Sequence, residues 1–297
     1  MAGLKKIALG LLAFMLTLAI SALAAIWWFG AWRILFPSSS YETTPPALPS
    51  DLHSPSLLLF TKTNRFRHEE GIAAGIALFE EMGRDNGWSV WQTENSAVFN
   101  ESDLQRFDLV VYLNSTGASL GPLQRQSLRN WVEAGGSWLG IHAAADDSHT
   151  YWPWYVETLI GVEFTAHILG PQLQPATVIN QAPAHSVMQG LAGSWTHTEE
   201  WYSWRQAPDE ELFVILASVD EDSYSPWQKI VSRDVDLRMG YHPVAWTRCV
   251  DRGRSLYSAL GHSADAYAAD EHRQLLKNAT TWLLDDRQSP CKRPGRD

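Results

Sequence analysis

A short apolar segment, Ser137–Ile141, ends abruptly at an ionisable side chain, His142. Similar apolar segments occur at 57–60 and 109–113, and a stretch with helical periodicity, about 70–86, lies between those two. Near-continuous apolar strands that alternate with helices are typical of a parallel sheet covered on both faces. We therefore predict an open, doubly wound, mostly parallel α/β sheet.

The second half of the chain is less regular. Strand candidates lie at 176–179, 213–218, 244–247 and 255–260, and a final helix is predicted from about 266 to 284. Because these strands are not separated by clear helical patterns, we expect antiparallel or mixed pairing there.

The N-terminus carries a long apolar run. Lys5 and Lys6 precede 26 mostly apolar, uncharged residues, 7–32. At ~1.5 Å per residue such a helix measures roughly 39 Å, enough to cross a bilayer core of about 30 Å. We interpret residues 1–36 as a retained single-pass anchor, with a signal peptide cleaved after 22–24 as the alternative. The lysines favour a cytoplasmic N-terminus, so the domain is expected on the extracytoplasmic (periplasmic) side of the inner or plasma membrane.

The remaining segments set the domain limits. Residues 37–56 are rich in Pro, Ser and Thr and predict an extended tether, 57–287 form the domain, and 288–297 form a tail. The only cysteines, Cys249 and Cys291, can pair in an oxidising compartment or stay as thiols. The formal net charge of −10 and the lack of a basic stripe argue against a nucleic-acid partner.

Polar and ionisable residues recur just after the apolar strands. They form the sets Phe66-Arg67-His68, Asn114-Ser115-Thr116-Gly117, His142, and Gly261-His262-Ser263. The carboxyl ends of parallel strands lie at one edge of a sheet, so these groups are expected to converge into one site.

Several segments resemble the trehalose-utilisation (ThuA-like) proteins, whose fold belongs with the class I glutamine amidotransferase-like domains. The matching segments are residues 60–68, 114–117, 135–146, 152–155, 198–202, 242–246 and 261–263. They follow in order from about residue 57 to 286. The resemblance thus covers the soluble body and implies the class I glutamine amidotransferase-like, flavodoxin-like fold.

The resemblance does not carry the amidotransferase reaction with it. Those enzymes place a cysteine nucleophile in a Gly-x-Cys-x-Gly elbow, which here reads Gly140-Ile141-His142-Ala143-Ala144, while His262 resembles their later histidine. Imidazole cannot form the thioester that the glutaminase reaction needs. No glutaminase activity is expected.

The resemblance implies a carbohydrate ligand, a disaccharide or a 3-keto-glycoside, and a sugar oxidoreductase as a partner by family association. Chemistry on a keto-sugar needs a base for the proton beside the ketone, an acid for the leaving oxygen, or a metal that polarises the carbonyl. The leading hypothesis is a carbohydrate-acting hydrolase or lyase. The alternatives are a non-catalytic carbohydrate-binding or accessory protein and a membrane interaction scaffold.

Candidate roles follow from the types of residue in these segments. The candidate catalytic residues are His142, His262, Glu200 and Asp146. Asp146 is included because a helix that starts at His142 would put it on the same side, where it can orient the imidazole or cap the helix. The candidate ligand-binding residues are His68, Asn114, Thr116, Trp152, Trp154 and His242. Tryptophans more often fill cores, so core packing is the alternative for that pair.

Several histidines with a carboxylate suit zinc or a similar divalent metal. The candidate ligands are His142, His167, His242 and His262, but no HExxH or HxH spacing fixes the set, so a metal is left open. Adjacent residues of regular structure point differently, and we prefer Glu200 to Glu199 because it adjoins Trp201. The histidines interpreted as linker, loop or surface residues are His53, His149, His185 and His272.

Overall fold

The computed structural model describes residues 2–28, 32–230 and 232–285. The strands are β1 Ser56–Phe60, β2 Ser89–Thr93, β3 Leu109–Leu113, β4 Ser137–Ile141, β5 Phe164–His167, β6 Gln174–Asn180, β7 Ser194–Glu199, β8 Tyr202–Trp204, β9 Val214–Val219, β10 Trp227–Ile230, β11 Arg233–Asp236, β12 Pro243–Val250 and β13 Gly253–Ser258. The α-helices are α1 Ala2–Trp28, α2 Trp32–Leu35, α3 Glu69–Asn86, α4 Glu101–Leu104, α5 Pro122–Glu133, α6 Ala264–Ala268 and α7 Asp270–Leu284.

Nine strands form one sheet in the order β2-β1-β3-β4-β13-β12-β9-β6-β7. The pairs from β2 through β1, β3 and β4 to β13 are parallel. The pairs from β13 through β12, β9 and β6 to β7 are antiparallel. The predicted α/β sheet is therefore confirmed, with the antiparallel strands in the second half of the chain. The pairs β5-β8 and β10-β11 form two further small sheets.

Neighbouring side chains of β3 point to opposite faces of the sheet and are covered from both sides. On one face, Gly75 of α3 lies so close to Leu113 that an added Cβ would be 2.7 Å from the leucine side chain. On the other face, Tyr112 packs edge-on against Trp138 and Tyr155, with ring centroids 5.8 and 5.7 Å apart. Tyr155 begins a short π-helix, Tyr155–Ile160, so helical segments cover both faces, as predicted.

The N-terminal helix α1 contains a candidate membrane span, Lys5–Trp28, of 24 residues, none of it buried. At ~1.5 Å per residue this span is roughly 36 Å long, which is sufficient for a bilayer core. Its length and composition fit a membrane anchor, and its position near the N-terminus also fits a signal sequence.

The predicted tether, 37–56, contains no helix or strand before β1, but it lies against the domain. Glu42 accepts hydrogen bonds from Lys62 Nζ at 2.6 Å and from the Ser96 backbone N–H at 2.9 Å. The Gln124 amide donates to the Glu42 carbonyl at 2.6 Å. Burial raises the pKa of Glu42, but the Lys62 and Ser96 bonds outweigh it and lower the pKa to about 2. This segment is part of the domain surface rather than a free spacer.

The C-terminal helix is interrupted where one helix was predicted. Ala269 has extended backbone between α6 and α7, and the acidic Asp270 and Glu271 then begin α7. Acidic side chains in a first turn favour a new helix start there. Cys291 and the predicted tail, 288–297, lie outside the residues that the structure describes. The alternatives for Cys249 and Cys291, a disulfide or two thiols, therefore stay predictions.

Candidate active site

The carboxyl ends of β3 and β4 each lead into a residue with left-handed backbone. Asn114 has φ 51° and His142 has φ 48°. Non-glycine residues hold this conformation where their surroundings over-determine it. The Asn114 amide donates to the Gly261 carbonyl at 3.0 Å, and its oxygen accepts the Ala143 N–H at 3.2 Å. Asn114 therefore ties the turn at His142 to the loop that follows β13.

His142 is fully buried, and its partners define how the ring is oriented. Its Nδ1 lies 2.8 Å from the Ala259 carbonyl oxygen, which can only accept, so Nδ1 carries the proton. Its Nε2 lies 3.3 Å from Glu200 Oε2 and 3.2 Å from His262 Nδ1. Burial lowers the pKa of His142, but the hydrogen bond to Glu200 and the charge of Glu199 outweigh it, so the pKa is raised.

Glu200 is a buried carboxylate shared by three imidazoles. Oε2 lies 3.1 Å from His262 Nδ1 in addition to the His142 contact, and Oε1 lies 3.1 Å from His167 Nδ1. The Gln172 amide also donates to Oε1. Burial raises the pKa of Glu200, but the hydrogen bonds from His142 and His262 outweigh it and leave the pKa well below its usual range. Glu200 is therefore an anion at neutral pH.

His68 completes the group from the loop before α3. Its ring stands edge-on to His142 and His262, with centroids 4.9 and 4.8 Å away. Burial, followed by the charges of His142 and His262, lowers the pKa of His68. One ligand atom from each of His68, His142, His262 and Glu200 lies within 4.8 Å of the others, so these four can hold a metal ion.

Glu199 supports this group from behind. It is fully buried, and its carboxylate accepts the backbone N–H groups of Gly261 at 2.6 Å, Glu200 at 2.9 Å and His262 at 3.2 Å. Burial raises the pKa of Glu199, but the contact with His197 Nε2 at 3.5 Å and nearby positive charge outweigh it and lower the pKa. From the sequence we prefer Glu200 to Glu199 and so do not predict this role. Glu199 bonds the backbone N–H groups of the loop that carries His262, whereas Glu200 contacts the His262 imidazole.

An open cleft of about 280 Å³ lies over Glu200. Its aromatic walls are Phe66, Phe164 and Tyr202, and its polar walls include Arg65, Asp146, Gln172, His68 and His167. Aromatic and apolar walls with a few convergent polar groups are typical of a small-molecule site. His142 and His262 are not among the described residues that line this cleft, but both contact Glu200, which does line it.

The structure brings together three of the four predicted catalytic residues: His142, His262 and Glu200. Asp146 lines the cleft but does not orient His142, whose Nδ1 bonds the Ala259 carbonyl. Asp146 instead accepts the Ser148 backbone N–H at 2.9 Å, and burial raises its pKa. The reason is that 3-10 turns follow His142 in place of the helix that would have aligned Asp146 with it.

Two predicted ligand-binding residues are buried in the loops around the site. Asn114 bridges the two loops described above, and the Thr116 hydroxyl donates to the Phe66 carbonyl at 2.9 Å. His68 lines the cleft as expected. Asn114 and Thr116 thus connect the loops around the cleft, and neither is among the described residues that line it.

Two predicted metal ligands, His242 and His167, are not members of the four-residue group. His242 is 1% exposed, and its Nε2 donates to the Tyr202 carbonyl at 2.7 Å while Nδ1 lies 2.9 Å from Glu221. It supports the wall of the cleft from behind. His167 contacts Glu200 from the cleft side and is 24% exposed.

The predicted aromatic platform is a packing element. Trp152 is 8% exposed and stacks on Tyr155 at 5.3 Å, and Trp154 lies 5.6 Å from the guanidinium of Arg129. Neither tryptophan is among the described residues that line the cleft. Phe164, which does line it, falls in a strand that the sequence pattern did not indicate.

Two histidines interpreted as linker, loop or surface residues are buried. His149 lies in a 3-10 turn between β4 and β5, whereas His272 lies within α7, where that interpretation is wrong. His149 Nε2 bonds the Ser115 carbonyl at 2.9 Å, and His272 Nδ1 bonds the Ala266 carbonyl at 2.9 Å. Burial is the largest cause that lowers the pKa of His272 to about 4. Each histidine satisfies a backbone carbonyl, which composition alone does not reveal.

Comparisons with known proteins agree with this architecture. A ThuA-like protein from Bacteroides uniformis is 23% identical, covers 83% of this chain and 98% of its own, and superposes with a TM-score of 0.67. A ThuA-like protein from Parabacteroides merdae is 16% identical over 78% of this chain and 91% of its own, with a TM-score of 0.58. No curated protein sequence matches significantly. The sequence model of the trehalose-utilisation family matches residues 56–283. The chain therefore belongs to the trehalose-utilisation (ThuA) family.

Proposed function

We propose that this protein is a membrane-tethered, extracytoplasmic enzyme that processes a 3-keto-glycoside or a related disaccharide in the cleft over Glu200. One observation carries the proposal: an ionised, buried carboxylate bonds three imidazoles at the floor of a cleft walled by aromatic rings. The association of the family with trehalose utilisation supports a carbohydrate as the ligand.

His167 is the group that we propose takes the proton. Its Nδ1 lies 3.1 Å from the Ile168 carbonyl oxygen and 3.1 Å from Glu200 Oε1, and both of these oxygens accept hydrogen bonds. Nδ1 therefore carries the proton in the neutral ring, and Nε2 has a free lone pair. A histidine with this tautomer, oriented by a carboxylate and in contact with the cleft, suits a general base.

The proposed reaction is an elimination. The C–H bond at C2, beside a C3 ketone, breaks as His167 accepts the proton, and the C1=C2 double bond forms as the C1–O glycosidic bond breaks. The proton then passes to the leaving oxygen, so the products are an unsaturated keto-sugar and a free sugar, with no co-reactant. Glu200 is ionised and stabilises the imidazolium that forms.

His142 and His262 act as positioning residues in this scheme. They hold Glu200 ionised through contacts of 3.3 and 3.1 Å. His142 occupies the elbow position where an amidotransferase has its cysteine, and imidazole cannot replace that thiolate as the acyl acceptor. A hydrolytic glutaminase is therefore not proposed.

The proposal also concerns the membrane anchor and the supply of substrate. The Arg33 guanidinium, just beyond the N-terminal helix, donates to the Thr63 carbonyl at 3.0 Å, two residues from the cleft residue Arg65. If the anchor is retained, this contact would hold the cleft near the membrane. Because a keto-sugar forms by oxidation of a secondary hydroxyl, a sugar oxidoreductase must supply the substrate.

The proposal is tested on the full chain, purified in detergent. It is incubated with trehalose and with 3-keto-trehalose, and product release is followed by chromatography while binding is measured by calorimetry. We expect turnover of the keto form, lost in His167→Gln with the affinity for sugar retained. The matched control is His53→Gln. His53 is exposed and lies beside Ser89 at the amino end of β2, whereas the cleft lies at the carboxyl ends of the parallel strands.

Two results would count against the proposal in different ways. Saturable binding of either sugar without turnover would make the protein a carbohydrate-binding accessory protein. The absence of both binding and turnover would remove carbohydrate as the ligand.

A further inference from the structure

We propose that His68, His142, His262 and Glu200 bind one divalent transition-metal ion at the floor of the cleft. These residues come from loops after β1, β4, β13 and β7, so the fold itself assembles the donor set. Binding of the ion needs no substrate, and the inference therefore stands apart from the proposed reaction.

The separations between donor atoms fit one small ion. With bonds of about 2.0–2.2 Å to imidazole nitrogen and carboxylate oxygen, neighbouring ligand atoms of a tetrahedral site lie about 3.3 Å apart. The observed separations are 3.3 Å from His142 Nε2 to Glu200 Oε2, 3.1 Å from His262 Nδ1 to that oxygen, and 3.2 Å between the two nitrogens. Three edges of the expected polyhedron are thus already present.

The hydrogen bond on the far side of His142 fixes the tautomer that a metal requires. The Ala259 carbonyl accepts a hydrogen bond from Nδ1–H at 2.8 Å, so Nε2, which faces Glu200 and His262, is the nitrogen that would bind the ion in place of the proton it shares with Glu200. Metal-binding histidines characteristically donate their other N–H to a backbone carbonyl or a carboxylate in this way.

His68 is the second observation that points to a ligand. It is 7% exposed, and its Nδ1 has no hydrogen-bond partner among the residues that the structure describes. A buried polar group left without a partner costs about 1–3 kcal/mol. The three imidazole rings stand at 85–90° to one another with centroids 4.8–5.1 Å apart, as rings grouped around a common point do.

The chemistry of the donors narrows the type of ion. Calcium and magnesium prefer oxygen ligands, whereas three imidazoles with one carboxylate suit zinc, manganese, iron or cobalt in the divalent state. Since Glu200 and His68 line the cleft, a ligand oxygen can approach the ion from that side. A ketone oxygen bound there would be polarised, which favours loss of the neighbouring proton.

The test measures metal binding without sugar. The full chain is stripped with a chelator, dialysed and titrated with Co²⁺, while bound metal is counted by mass spectrometry and the visible absorption of Co²⁺ is recorded. We expect one equivalent per chain, and an affinity at least about 100-fold weaker in His68→Gln, since loss of even an outer partner costs 10–100-fold. His53→Gln is the control and should bind as the wild type does.

If the His68 variant does not fold, the wild type alone tests whether Co²⁺ binds the folded protein, because bound Co²⁺ should raise its melting temperature. No saturable binding below about 0.1 mM, or equal affinity in His68→Gln, would overturn the inference. Bound metal in a protein that does not turn over keto-sugars would leave the metal site standing and refute only the proposed reaction.

Discussion

Replacement of Glu199 by Gln should loosen the loop that carries His262. The carboxylate accepts three backbone N–H groups, from Gly261 at 2.6 Å, Glu200 at 2.9 Å and His262 at 3.2 Å. Both of its oxygens are used, Oε2 by Gly261 and Oε1 by Glu200 and His262. A glutamine has one oxygen, so its NH₂ group must face at least one of these buried donors.

The magnitude follows from that count. A buried N–H without an acceptor costs about 1–3 kcal/mol, and the remaining bonds lose about half of their strength when the acceptor becomes neutral. We expect Glu199→Gln to lower the free energy of unfolding by about 3 kcal/mol. Because His262 is displaced, turnover and Co²⁺ affinity should each fall about 10-fold or more with a misplacement near 1 Å.

Urea unfolding of the full chain in detergent, followed by tryptophan fluorescence, measures the change in stability. Asp108→Asn is the matched control, since Asp108 is buried and accepts the Ser56 N–H at 2.8 Å at the opposite edge of the sheet. The control should lose stability but keep its affinity for Co²⁺. Unchanged stability and unchanged Co²⁺ affinity in Glu199→Gln would refute the reasoning.

Three further predictions concern packing, acid sensitivity and the aromatic walls. In Gly71→Ala the new Cβ would lie 2.5 Å from the His262 backbone oxygen, so turnover should fall about 10-fold. In Gly75→Ala the new Cβ would meet the Leu113 side chain instead, so this variant should lose about 1–3 kcal/mol of stability and keep its turnover. The pKa of His272 is about 4 in the folded protein, so below its usual pKa of 6.5 the unfolded chain binds a proton that the folded protein does not. Between pH 6.5 and 4 the free energy of unfolding of the wild type should therefore fall by about 3 kcal/mol. Urea unfolding across that pH range should show that His272→Leu does not lose this stability. Phe164→Ala should weaken sugar binding about 10-fold by calorimetry, while Trp154→Ala should leave it unchanged.

The parallel half of the sheet could be predicted because its signal is local. Segments such as Leu109–Leu113 are continuously apolar, and all five residues of that strand are buried. The convergence of His68, His142 and His262 then follows from strand direction alone, since parallel strands end at one edge.

The rest depended on contacts between distant residues. In β5 and β10 the burial pattern is mixed, and their partners β8 and β11 are short, so neither strand has a clear apolar period. The local backbone also decided the role of Asp146, because short turns replaced the expected helix after His142. His272 packs against His197 of β7, with ring centroids 5.5 Å apart, and the residues around His272 in the sequence do not indicate that contact.

The proposed reaction removes a proton beside a sugar ketone in this cleft. It is tested most directly by incubation of 3-keto-trehalose with the full chain in D₂O and by NMR measurement of deuterium exchange at C2 alongside product release. Deuterium uptake or product formation above the buffer rate, abolished in His167→Gln and retained in His53→Gln, is the predicted result. Exchange and product release no faster than in buffer, with sugar bound, would contradict the account.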